Sequence, residues 1–112
     1  MRLRATGALL AAIAVGLGAF GAHGLKDHFQ AQPTAREWWH TATLYLLVHA
    51  AVVAVLPVAE RSARLCLLGG VTIFASTLYA MALGAPSWLG AITPIGGLLL
   101  IAGWIWLALV RD

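Results

Sequence analysis

An ionisable side chain set inside a long apolar stretch is the first place to look for chemistry, and His49 occupies such a place. It lies in an apolar run from Trp38 to about Ala59, far from any Lys, Arg, Asp or Glu. An imidazole at membrane depth can relay protons, bind a ligand or touch a metal, because its two ring nitrogens switch roles near neutral pH. Tyr45 precedes His49 by four residues, so on a helix the two share a face, within a line formed by Trp38, Ala42, Tyr45, His49, Val52 and Leu56. The next apolar run carries a matching line in Gly69, Thr72, Ser76, Tyr79 and Leu83. An unpaired polar group in hydrocarbon costs roughly 2–7 kcal/mol, so both lines are expected to face inward. Tyr45, His49, Thr72, Ser76 and Tyr79 would then form one hydrogen-bonded intramembrane cluster. The plainer reading, favoured over a functional one, is a neutral imidazole tying two helices together.

Other catalytic arrangements find little support. Asp27, Glu37, Glu60 and Asp112 all fall at the ends of apolar runs, beside Lys26, Arg36, Arg61 and Arg111, as interfacial charges that cap and pair helix ends do. His23, His28 and His40 gather near one predicted surface, but without a carboxylate pair or a thiol they make a poor metal site. Cys66, the one cysteine, sits between Leu65 and Leu67 and reads as a small buried hydrophobe. Ser62 and Ser87 lack a nucleophile-elbow context. Gly69-Gly70 and Gly96-Gly97 lie in apolar runs, where they suit helix contact better than phosphate binding. The sequence therefore gives no catalytic residue, no metal site and no cofactor.

Composition shows what must hold these residues in place. Of 112 residues 62% are apolar and only 10% charged, too few to cover the surface of a water-soluble fold. Lipid has to provide that cover, which makes the bilayer the first partner. The net charge of +3 does not point to nucleic acid, since the basic residues are few and separated by apolar blocks. Anionic lipid head groups are better partners for Arg2, Arg4, Arg61 and Arg64.

A hydrocarbon layer about 30 Å thick takes roughly 20 helical residues, and four segments approach that length. They are expected at about residues 5–25, 38–59, 64–83 and 91–110, making residues 1–112 a single transmembrane domain. Pro57 would fall in the last turn of the second span, where a lost backbone bond matters least. Gly84 suits the position after the third helix, with Pro86 as a stop. Thr93 and Pro94 read as an N-cap and a first-turn proline. That start leaves the last helix short, so residues 85–93 are expected to dip into the interface. The fold class is all-α, an integral membrane four-helix bundle. With four spans, Arg2, Arg4, Arg61, Arg64 and Arg111 lie on one side and Lys26 and Arg36 on the other, which predicts both termini in the cytoplasm. Trp38, Trp39 and Trp88 would mark the outer interface, and Trp104 and Trp106 the inner one. A cleaved signal peptide ending at Ala19-Phe20-Gly21 is the disfavoured alternative, because the first apolar run is long for such a segment.

On the first span Gly7, Ala11, Ala14, Gly18 and Ala22 recur at spacings of three and four, which gives a small-residue face for close helix packing. Packing within one chain is the expectation, with a homo-oligomer interface as the alternative.

The run Gly18-Ala19-Phe20-Gly21-Ala22-His23 resembles the hallmark of the YgdD-type family of small membrane proteins, a domain of unknown function. Trp39 and Thr41 leading to Tyr45 and His49 add to the likeness. So do Phe74 through Leu78-Tyr79 with Ala82-Leu83, and Ile92-Thr93-Pro94-Ile95-Gly96-Gly97 followed by Gly103-Trp104. The likeness spans nearly the whole chain. One departure is that the family's Phe-Ser-Gly-Ser-Leu-Tyr run reads Phe74-Ala75-Ser76-Thr77-Leu78-Tyr79 here, which shifts the hydroxyls. The resemblance implies a four-helix protein of the bacterial inner membrane with no established activity. The resemblance supplies no mechanism, and the expected function, which requires nothing the sequence lacks, is a structural or accessory membrane protein without catalysis, acting on the bilayer or a partner membrane protein. The alternative is a minimal oligomeric transporter or proton-conducting protein that uses the cluster around His49.

Overall fold

A computed structural model describes residues 2–110. Four long helices, α1 (Leu3–His23), α3 (Pro33–Val55), α4 (Arg61–Ala82) and α5 (Thr93–Leu109), run alternately up and down. A short helix α2 (Lys26–Ala31) crosses the end between α1 and α3. Single 3-10 turns, Val58–Glu60 and Ser87–Ala91, lead into α4 and α5. The described residues contain no strand. With the Ser87–Ala91 turn added to α5, all four long segments are long and apolar enough to cross a membrane.

The packing follows chain order: α1 lies against α3, α3 against α4 and α4 against α5. The central α4 is accordingly the most enclosed span, 44% buried in its apolar window against 17% for α1. Large apolar side chains remain exposed along the long helices, including Leu9, Ile13, Val15, Leu44, Val48, Leu98, Ile101 and Ile105. An exterior of this kind is stable only when lipid covers it. The enclosed core is thin and built from Ala14, Ala42, Leu46, Val53, Leu67, Val71, Ala75, Leu78, Met81 and Leu100.

A 3.5-residue period governs the contacts. On α3 the buried residues Ala35, Trp39, Ala42, Leu46, His49 and Val53 advance in steps of four and three, with Ala50 buried beside His49, and those of α5, Thr93, Gly96, Leu100 and Gly103, follow the same steps. On α1 the buried residues Gly7, Ala14 and Gly21 stand seven apart. Such spacing is the mark of helices packed at a shallow left-handed crossing.

Helix ends differ from the sequence expectation where local chemistry decides. The second span runs from Pro33 to Val55 and not to about residue 59, because Leu56 precedes Pro57 and is forced into an extended conformation (φ −62°, ψ 144°). The third begins at Arg61, three residues early. It ends in a Schellman turn: Gly84 takes φ 108°, and the N–H groups of Ala85 and Gly84 return to the carbonyls of Ala80 (2.9 Å) and Met81 (3.1 Å). Thr93 is not an N-cap, since Ile92 before it is still helical and the Thr93 side chain bonds elsewhere.

Candidate functional site

His49 is buried, 6% exposed, on the inner face of α3. Its Nδ1–H donates to the carbonyl of Tyr45 one turn earlier (2.7 Å), and its Nε2 accepts from the indole N–H of Trp104 on α5 (3.0 Å). An indole nitrogen is a donor only, so Nε2 must carry the lone pair, and the ring is the neutral Nδ1–H tautomer. Both nitrogens are thus used, one within its own helix and one across to α5. Tyr45 is more than a third exposed; its ring stacks on His49 (5.9 Å) and leans on Phe74 of α4 (4.6 Å). The Trp104 ring meets His49 edge-on (5.8 Å). Sequence reasoning missed Trp104, which reads as an interfacial anchor until the α3–α5 approach is known.

Tyr79 does not join His49. Its hydroxyl pairs with Thr43 of α3 (2.7 Å), and its ring meets that of Trp39 edge-on (4.6 Å). The Trp39 indole, 2% exposed, donates to the carbonyl of Leu17 on α1 (2.8 Å). That bond depends on Gly21: a Cβ there would collide with the Trp39 ring nitrogen and its neighbouring carbon. Phe29 of α2 closes the group from above, its ring 6.0 Å from Trp39.

A third polar pair lies between α4 and α5. The hydroxyls of Thr77 and Thr93 are 2.6 Å apart, so one donates to the other, and the accepting hydroxyl turns its own proton to a carbonyl of the preceding turn, Ile73 for Thr77 or Leu89 for Thr93. Thr72 and Ser76, expected in the interior, are instead exposed. The reason is geometric: α4 buries the faces carrying Val71, Ala75 and Leu78 toward α3 and Gly70 and Thr77 toward α5, so positions 69, 72 and 76 point outward. The Ser76 hydroxyl bonds the Ile73 carbonyl of its own helix (3.3 Å). The expected single cluster is therefore three separate ties: His49–Trp104, Tyr79–Thr43 and Thr77–Thr93.

The small-residue face of α1 lies on α3 through Gly7, Ala11, Ala14 and Gly18, but Gly21 continues it and Ala22 turns outward, because the contact repeats every seven residues. A Cβ on Gly7 would stand 2.7 Å from the Ala54 nitrogen and 2.8 Å from the Ala50 carbonyl oxygen. Gly70 and Gly96 face each other in the same way where α4 crosses α5, whereas Gly97 beside them is half-buried against the Phe74 ring. Pro94 is exposed in the first turn of α5.

The remaining histidines are dispersed. His23 and His40 are exposed, and the His28 Nε2–H donates to the free carbonyl of Ala82 at the end of α4 (2.8 Å). Among the described residues no three His, Cys, Asp or Glu side chains converge as metal ligands. Arg64, missed as a buried residue, is 3% exposed at the start of α4 and donates through Nη2 to the Leu56 carbonyl. The Arg111 and Asp112 assignments lie outside the described residues.

A bundle with a lipid-facing apolar exterior and interhelical polar ties is a small polytopic α-helical membrane protein. Residues 17–97 match the family model described as "Protein of unknown function (DUF423)", and the chain belongs to that family. Among similar proteins is the UPF0382 membrane protein SSP2132 of Staphylococcus saprophyticus, 37% identical over 92% of this chain and 90% of its own length. Another, the UPF0382 membrane protein YwdK of Bacillus subtilis, is 39% identical over 88% of this chain and 86% of its own. A UPF0382 membrane protein of Haemophilus influenzae is 42% identical over 84% and 80%, respectively. No solved structure matches the chain. These bacterial membrane-protein relatives and the four apolar helices are consistent with residence in the bacterial inner membrane. The family is uncharacterised, and nothing in it indicates a catalytic function.

Proposed function

We propose that this chain is a non-catalytic accessory protein of the inner membrane, not an enzyme, with both termini in the cytoplasm and its buried polar side chains used to fasten helices to one another. One observation carries the reading: both nitrogens of His49 are committed, to the Tyr45 carbonyl and to the Trp104 indole. A proton relay needs a partner that can accept on one side and donate on the other, and Trp104 has no lone pair with which to pass a proton on. The Tyr79–Thr43 and Thr77–Thr93 hydrogen bonds likewise join neighbouring helices. The orientation rests on Arg2, Arg4, Arg61, Arg64 and Arg111 on one side against Lys26 and Arg36 on the other. The outward Gly69, Thr72 and Ser76 of α4 offer a face for a second copy or a partner membrane protein.

The test is proton flux into liposomes that carry the folded, correctly inserted protein, under an imposed pH gradient with the potential clamped by valinomycin. The expected flux equals that of protein-free liposomes. Flux present in the wild type and abolished by His49→Gln would overturn the reading and establish a proton pathway through His49.

A further inference from the structure

At the end of the bundle where α1 and α4 begin, a cleft of about 430 Å³ is lined by Arg2, Leu3, Arg4, Arg61 and Arg64. Four of the five lining residues are arginines and none is acidic. Four arginines round one cleft, with no acidic residue among its lining, make it a positively charged pocket that attracts an anion. Arg64 adds a second, independent sign. It lines the cleft while 97% removed from solvent, and although Nη2 is satisfied by the Leu56 carbonyl, its buried Nε finds no partner among the described residues. A buried, charged donor left open is costly, and its natural complement is an acceptor from outside the chain.

We propose that this cleft is a binding site for the phosphate of an anionic phospholipid headgroup. Planar guanidinium groups match phosphate oxygens two at a time, and Arg64 supplies a donor already held in place by its Leu56 bond. The helix α1 starts at the cleft without a side-chain cap, so its first-turn N–H groups point toward the same end. The location favours lipid over a soluble anion, because two membrane-spanning helices begin here, at the depth where lipid phosphates lie. A headgroup carrying its own cation, such as choline, offsets its phosphate charge and is held less tightly by the arginines. The cleft volume is of the order that encloses small ligands, roughly 300–1,000 Å³.

The full chain in detergent, titrated with phosphatidylglycerol or phosphatidylcholine of equal acyl composition and followed by native mass spectrometry, tests the site. One phosphatidylglycerol should be retained per chain, with phosphatidylcholine at least about ten-fold weaker. The double variant Arg2→Gln/Arg4→Gln changes only exposed side chains, so it should fold normally, yet weaken phosphatidylglycerol about ten-fold and bring the two lipids together. Lys26→Gln/Arg36→Gln, at the opposite end, should leave binding unchanged. Equal retention of the two lipids by the wild type would overturn the proposal, as would unchanged phosphatidylglycerol binding in Arg2→Gln/Arg4→Gln or an equal loss in Lys26→Gln/Arg36→Gln. Inorganic phosphate that displaces phosphatidylglycerol at matching concentration would assign the cleft to a soluble anion and overturn the lipid assignment.

Discussion

Substituting Gly96 by alanine should separate α5 from α4. A Cβ at this position would stand 2.5 Å from the Phe74 nitrogen, 2.6 Å from the Gly70 carbonyl oxygen and 3.0 Å from the Phe74 Cα. All three are backbone atoms of a packed helix, so no side chain can rotate away, and normal contact requires the helices to part by about 1 Å. A gap of that size forfeits about a quarter to a half of each dispersion contact along the crossing, and overpacking of this kind costs about 1–3 kcal/mol. In a bilayer the hydrophobic effect does not press helices together, so these contacts are the main force that is lost. Gly16→Ala and Gly69→Ala are the controls, because nothing lies within 4 Å of either position. They should be neutral or gain up to about 1 kcal/mol from helix propensity. Unfolding in mixed detergent micelles, followed by far-ultraviolet circular dichroism, measures all three. A Gly96→Ala protein as stable as Gly16→Ala would refute the close crossing of α4 and α5.

Other outcomes follow from the same contacts. Thr77→Val removes one hydroxyl of the buried Thr77–Thr93 pair and should cost about 0.5–1.5 kcal/mol, while Thr72→Val, on the outward face, should cost nothing measurable in the same unfolding assay. Gly21→Ala should displace the Trp39 indole from the Leu17 carbonyl and destabilise the α1–α3 contact by about 1–3 kcal/mol, visible as a lowered unfolding midpoint and altered tryptophan fluorescence.

The four spans were legible from composition and charge because an apolar run about 20 residues long has few alternatives. The boundaries shifted where single residues act on the backbone, as Pro57 does by ending α3 at Val55. The rotation of each helix was harder to read. With so many apolar residues on every side, amphipathicity gives little guidance, and the polar residues were the only remaining marks. They placed His49 and Tyr79 against neighbouring helices but misplaced Thr72 and Ser76, which are exposed, the Ser76 hydroxyl bonding a carbonyl of its own helix. Gly21 and Trp104 were missed for a related reason. Their roles exist only across an interface, between Gly21 and Trp39 or between Trp104 and His49, and no spacing within one helix reveals a partner on another.

His49 acts here as a neutral tie between α3 and α5 and not as a carrier of protons. Solution or solid-state 15N NMR of histidine-labelled protein in lipid, at neutral pH, reads the protonation of each ring nitrogen directly. The expected spectrum shows a proton on Nδ1 alone, with Nε2 as the acceptor from Trp104 and the Nε2 shift moved by Trp104→Phe. A proton on Nε2, alone or together with one on Nδ1, would contradict it.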